Sequence, residues 1–188
     1  MKAITHTDHI TYVAAAEREQ AFVSEWSCLG LKHHTTVQTK RFPASHIALT
    51  SGVLPGRSWG IMTGLSISSD PASPVNELVR RYGEGIQHVA YAIDPEADMD
   101  AVHDEMKRAG MELMTGVLTY KESSDARLRQ MFIAPSRPYG TFVEYIQRLP
   151  GCDGQPFNGF DPVNIDDLYQ AYSDYSRWLE KSPKIQVG

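Results

Sequence analysis

The sequence predicts an α+β fold built from two βαβββ halves and closed by a C-terminal helix. Two observations predict it. The order strand, helix, strand, strand, strand is legible from Thr7 to Ile67 and returns from Ile86 to Leu149. Each half also opens on a strand that carries a histidine, His9 in DHITYV and His88 in GEGIQHVAYAI. Superimposing these histidines sets the register of one half on the other, and within a few residues Glu144 then falls opposite Leu65.

Bulk properties exclude several function classes. A chain of 188 residues fits one well-filled domain or two small modules sharing a core. Its 41% hydrophobic and 22% charged residues are ordinary for a soluble globular protein. A net charge of -5 without any Lys/Arg cluster argues against nucleic acid and against an anionic membrane surface. Cys28 and Cys152 have neither zinc-site spacing nor the density of a disulfide framework, so a reducing cytoplasm is expected. The N-terminus lacks the pattern of a signal peptide, and no apolar run approaches the ~20 residues of a membrane helix.

In the first half, alternation from Thr7 to Val13 puts His9, Thr11 and Val13 on one strand face. Ala14 to Leu31 is helical in character, with Phe22, Trp26 and Leu29 on one side and Gly30 as the stop. Thr35–Thr39, Ser45–Thr50 and Ser58–Ile67 follow as strands, the first two separated by Pro43. Ser68 to Pro74 is a turn region, and Val75–Tyr82 is a short amphipathic helix linking the halves.

The second half opens on strand Ile86–Ile93, then Pro95, then helix Met99–Ala109 closed by Gly110. Glu112–Tyr120, Leu128–Ala134 and Thr141–Leu149 are its remaining strands. Gly151–Phe160 is loop, Ile165–Leu179 an aromatic-rich helix with Tyr169, Tyr172, Tyr175 and Trp178, and Lys181–Gly188 a loose tail. The expected organisation is a first module over 6–68, a linker helix over 69–85, a second module over 86–149 and a C-terminal loop and lid helix over 150–188. The terminal helix has two readings, a lid over the cleft or a cover for the back of the sheet.

Strand parity tells which side chains can meet. Phe142, Glu144 and Ile146 share a face, as do Leu128, Gln130 and Phe132, while Ala90 and Ala92 leave room beside His88. Two neutral imidazoles and a carboxylate on three rigid strands form the facial triad that holds Fe(II) and leaves positions open. Glu144, flanked by Val143 and Tyr145, needs a cation, a hydrogen-bond set or a raised pKa unless its strand lies at an exposed edge. Phe132 and Phe142 are core packing by default and pocket walls if the triad forms, with Gln130 as a neutral donor and acceptor. His6, His33, His34, His46 and His103 are read as ordinary core or surface histidines.

These motifs resemble the vicinal-oxygen-chelate superfamily, whose members pair βαβββ modules into an incomplete, mixed β-barrel around a metal. The second half is most similar to the catalytic half of 4-hydroxyphenylpyruvate dioxygenase: GEGIQHVAYAI resembles its glycine turn and Gln-His strand, LRQMF its Gln-containing strand, and TFVEYIQR its Phe-x-Glu-x-Ile-Gln-Arg ending. The resemblance implies that His9, His88 and Glu144 are iron ligands, that Gln87, Gln130, Phe132 and Phe142 line the substrate site, and that Ser45 matches a pocket serine. It is dense from Gly83 to Arg148 and sparse before Pro74. Three departures stand out. The further module pair usual in that family is absent; only Thr63, Gly64 and Leu65 stand where its pocket asparagine is expected; and Phe157, Phe160 or Ile165 takes the place of its terminal pocket phenylalanine.

The function implied is an Fe(II)-dependent dioxygenase that oxidatively decarboxylates a small aromatic 2-oxo acid with O2. An extradiol ring cleavage keeps the metal and asks for an acid/base such as His46 or Tyr12. A glyoxalase-like isomerase fits less well, because its fourth acidic ligand falls near Leu65. A non-catalytic small-molecule binding protein is the third reading. The expected partners are the substrate and O2, with no nucleic acid and no membrane, and a homodimer is compatible with the sequence.

Overall fold

A computed structural model of the chain describes residues 3–52, 60–135, 140–157, 159–160 and 162–181, with side chains described as far as residue 177. The first half comprises β1 (Ile4–Val13), α1 (Glu19–Cys28), β2 (Lys32–Gln38), β3 (Ser45–Thr50) and β4 (Met62–Ile67). Helix α2 (Pro74–Tyr82) leads to β5 (Gly85–Ile93), α3 (Met99–Arg108), β6 (Leu118–Lys121), β7 (Arg127–Ile133) and β8 (Phe142–Leu149), and α4 (Pro162–Lys181) follows.

All eight strands join one mixed sheet in the order β2-β3-β4-β1-β5-β8-β7-β6, so the second half repeats the first about the β1–β5 seam. β1 runs parallel to β4, β5 runs parallel to β8, and the two central strands are antiparallel. The sheet curls into an incomplete barrel. β8 lies between β5 and β7, which removes the exposed-edge reading of Glu144.

The helices are bounded by local chemistry. Ser73 caps α2 by accepting from the Asn76 N–H, Pro74 opens its first turn, and Gly83 ends it at φ 87°. Asp98 caps α3 through the N–H groups of Asp100 and Ala101. α1 is shorter than the apolar spacing predicts, because Ala16–Arg18 forms a 3-10 turn and no side chain caps the helix that follows.

α1 and α3 cover the outer face of the sheet. Phe22 and Val23 pack on Ile47, Leu65 and Ile67, while Met99 and Val102 pack on Ile93, Met131 and Tyr145. α4 instead lies on the inner face, with Tyr169 and Tyr172 against Val13, Val75 and Leu78 and Leu168 against Phe132 and Phe142. Asp166 ties it to the β2–β3 connection by accepting from the backbone N–H groups of Lys40, Arg41 and Phe42. Trp178 lies outside the described side chains and the tail from residue 182 outside the described residues.

Two strands depart from expectation. Of the predicted strand Glu112–Tyr120 only Leu118–Lys121 pairs continuously; upstream, the Thr115 hydroxyl accepts from the Phe132 N–H and replaces a ladder bond. The predicted strand Ser58–Ile67 begins at Met62, and residues 53–59 lie outside the described residues.

Candidate metal centre

Three strands bring His9, His88 and Glu144 to one point. His9 and His88 come from the antiparallel seam and Glu144 from the adjacent β8, where it pairs with Ala90, itself the partner of His9. All three are buried, and one ligating atom from each lies within 4.8 Å of the others. The Glu144 Oε2 is 3.5 Å from His9 Nε2 and 3.3 Å from His88 Nε2.

Neighbours fix how each ring faces. Asp8 Oδ1 lies 2.8 Å from His9 Nδ1, and Gln87 Oε1 lies 3.0 Å from His88 Nδ1. A carboxylate and an amide oxygen can only accept, so both Nδ1 atoms carry a proton and both Nε2 atoms turn inward. Asp8 is in turn clamped by Arg148, Nε to Oδ2 at 3.0 Å and a terminal nitrogen to Oδ1 at 3.1 Å. The other terminal nitrogen of Arg148 donates to the carbonyls of Phe157 and Gly159. The loop bearing Phe160 is thereby tied, through Asp8, to His9.

Electrostatics agree with a site for a cation. Burial would push His9 down, yet Asp8 and Glu144 raise it to about 9. Burial lowers His88. For Glu144 burial opposes ionisation, and His88 and His9 outweigh it, holding the carboxyl at about 2. Asp8, despite burial, is held well below the carboxylate range by Arg148 and His9.

The walls gather most of the expected lining residues. Phe142 stacks on His88 with ring centroids 5.0 Å apart, and Phe132 meets Phe142 edge-on. Gln130 is fully buried on the same face and its Oε1 accepts from the Asn164 amide of α4 at 2.5 Å. Gln87 holds His88 as described. Ser45 is the exception: it pairs with Ile67 of the outer face, and its hydroxyl donates to Gln38 rather than reaching the site. Alternation puts its neighbour His46 inside instead.

Asp8, Arg148 and Asn164 are the site-forming residues that sequence reasoning passes over, and His46, which it offers only as an acid/base under the extradiol reading, is buried beside them. The β1–β4 register pairs Thr11 with Gly64, and β5–β8 pairs Ala90 with Glu144, so Gly64, one residue from Leu65, is the first-half counterpart of Glu144. A Cβ at Gly64 would meet the His46 ring at 2.9 Å. The His46 ring therefore occupies the space that a side chain at position 64 would take. Phe160 packs edge-on against both His9 and His46.

No protein-family model matches the chain, and no curated protein sequence does. Among solved structures it is similar to a mutant of 4-hydroxymandelate synthase from Streptomyces coelicolor, with TM-score 0.74 and 17% identity over 92% of this chain and 55% of that one. The fold is of the vicinal-oxygen-chelate type. A fusion of a xylose isomerase-like TIM barrel with 4-hydroxyphenylpyruvate dioxygenase matches with TM-score 0.68 and 18% identity, over 92% of this chain and 30% of that one. Methylmalonyl-CoA epimerase from Mycobacterium tuberculosis matches with TM-score 0.56 and 19% identity, over 79% of this chain and 91% of that one. The chain thus spans about half the length of the synthase and matches nearly all of the epimerase.

Proposed function

We propose that His9, His88 and Glu144 hold one divalent metal, Fe(II) in the working protein, and that the chain is a dioxygenase acting on a small aromatic 2-oxo acid. The observation that carries this reading is the convergence of three buried acceptors, two of them imidazoles whose Nδ1 protons are committed elsewhere. Such a set is satisfied by a cation, and three protein ligands leave positions open for exchangeable ones.

When bound, Fe(II) supplies the redox chemistry and a place for O2. The chain's residues do the rest. Asp8 and Gln87 hold the two Nδ1 protons and so aim both Nε2 atoms at the metal position; Phe132, Phe142 and Leu168 keep water from that side; Gln130, braced by Asn164, presents an amide to the ligand. The isomerase reading loses support because the register position opposite Glu144 is Gly64, which carries no ligand atom. Extradiol cleavage is favoured by one observation, the buried His46 beside the triad.

The test is anaerobic reconstitution with Fe(II), then oxygen uptake across a panel of 2-oxo acids and catechols. Uptake with evolution of CO2 from an arylpyruvate supports the first reading. Uptake on catechols alone replaces it with the second, and none with either class rejects both.

A further inference from the structure

We propose that His46 is a ligand-contacting residue of this site, and that the ligand it meets carries a hydroxyl besides the oxygens that reach the metal. The proposal rests on the metal-site reading above and adds a wall to it. The two halves correspond strand by strand. His46 pairs with Ser66 two residues past Gly64, and Gln130 pairs with Ile146 two residues past Glu144. His46 is therefore the first-half counterpart of Gln130, on the opposite wall of the same concavity.

Its orientation is set. The ring is 3% exposed, Nδ1 lies 3.1 Å from the Ser66 hydroxyl, and Phe160 packs edge-on with centroids 4.8 Å apart. Nε2 is buried with no hydrogen-bond partner among the described residues. The same holds for the Thr11 hydroxyl across the gap left by Gly64, and for the Gln130 Nε2 on the far wall. Six buried side-chain polar atoms lack partners among the described residues, and two of them, His46 Nε2 and the Thr11 hydroxyl, flank the same gap beside Gly64, which marks it as a place where something polar binds.

The chemistry of that group follows from its surroundings. Ser66 can donate to Nδ1 or accept from it, so Nε2 presents either a lone pair or a proton, and a hydroxyl satisfies either form. A second carboxylate fits poorly. The carboxylates of Glu144 and Asp8 already flank the two histidines, and Arg148 is committed to Asp8. Gly64 matters too: any larger residue there would displace the His46 ring or the Thr11 hydroxyl.

The full chain, loaded with Zn(II) and carrying 15N-labelled histidine, is titrated with two pairs of chelators differing by one hydroxyl: phenylpyruvate with 4-hydroxyphenylpyruvate, and catechol with pyrogallol. The hydroxylated member of one pair should bind more tightly and shift the His46 Nε2 resonance. His46→Ala should reduce that preference about tenfold, the loss expected for one hydrogen bond, while metal content stays whole. His46→Gln, which keeps a polar atom near Nε2, should recover part of it and guards against a folding defect. If only the catechol pair responds, His46 keeps this role and the 2-oxo acid reading falls. Equal preference in wild type, Ala and Gln proteins that fold and load metal overturns the proposal, and so does failure of every chelator to bind.

Discussion

The Nε2 atoms of His9 and His88 lie 3.1 Å apart, although both rings have their Nδ1 protons committed to other partners. Two lone pairs at that distance need a proton or a metal between them. Without metal the proton goes to His9, where burial is outweighed by Asp8 and Glu144 and the pKa rises from 6.5 to about 9. A raised pKa stabilises the fold fully below pH 6.5, and that contribution is lost as pH rises through about 9. Chelator-treated protein should therefore melt progressively lower from pH 6.5 to 9, whereas Zn(II)-loaded protein should not. Calorimetry in buffers of different ionisation heat should register proton release on metal binding at pH 7. Parallel melting curves and no release would mean that metal does not replace the proton.

Arg148 and Asp8 form a buried ion pair that orients His9. Asp8→Asn should weaken metal binding about 10- to 100-fold, as loss of such outer partners commonly does. Arg148→Met should also destabilise the fold by about 3–5 kcal/mol, because it removes the guanidinium partner of a buried carboxylate and leaves Asp8 with His9 alone. Metal titration and denaturant unfolding measure the two effects separately.

Much of this arrangement was legible before any coordinates. Period-two alternation placed His9, His88, Glu144, Gln130, Phe132 and Phe142 on one side, because the outer helices and the inner concavity each demand their own face. Ser45 failed by one residue, and in a strand one residue is the difference between faces. A lone histidine in SHIALT carries no local sign of what it opposes; the sign for His46 is Gly64, which only the β3–β4 register brings beside it. Asp8 opens DHITYV and Arg148 ends TFVEYIQR, yet their pairing spans 140 residues and leaves no trace in spacing. The aromatic helix was ambiguous because Tyr169 and Tyr172 would pack equally well on either face of the sheet.

Gln130 offers a sharper separation of roles. Gln130→Leu should weaken arylpyruvate binding about tenfold or more while leaving metal affinity within about twofold, since its amide pairs with Asn164 and with none of His9, His88 and Glu144. Isothermal titration of metal, then of phenylpyruvate, checks both. An equal loss of metal would place Gln130 among the metal's supports instead.

The inner placement of α4 alters what its removal should do. Leu168, Tyr169 and Tyr172 are core residues, so ending the chain after Cys152 would unfold the protein rather than simply open the site. Milder changes are informative. Asp166→Ala should cost about 1–3 kcal/mol, because it leaves the backbone N–H groups of Lys40, Arg41 and Phe42 without their acceptor. Leu168→Ala should cost about 2–5 kcal/mol and admit water beside Phe132 and Phe142. Chemical denaturation of both variants tests the assignment.

The central claim is that three side chains on three strands hold one metal. Its most direct test is the metal content of the wild-type chain and of His9→Ala, His88→Ala and Glu144→Ala after anaerobic loading with Fe(II) and removal of unbound metal. The account predicts one metal per wild-type chain and a sharp loss in each variant, with circular dichroism showing a folded domain throughout. A full complement of metal in folded His88→Ala or Glu144→Ala protein would contradict it.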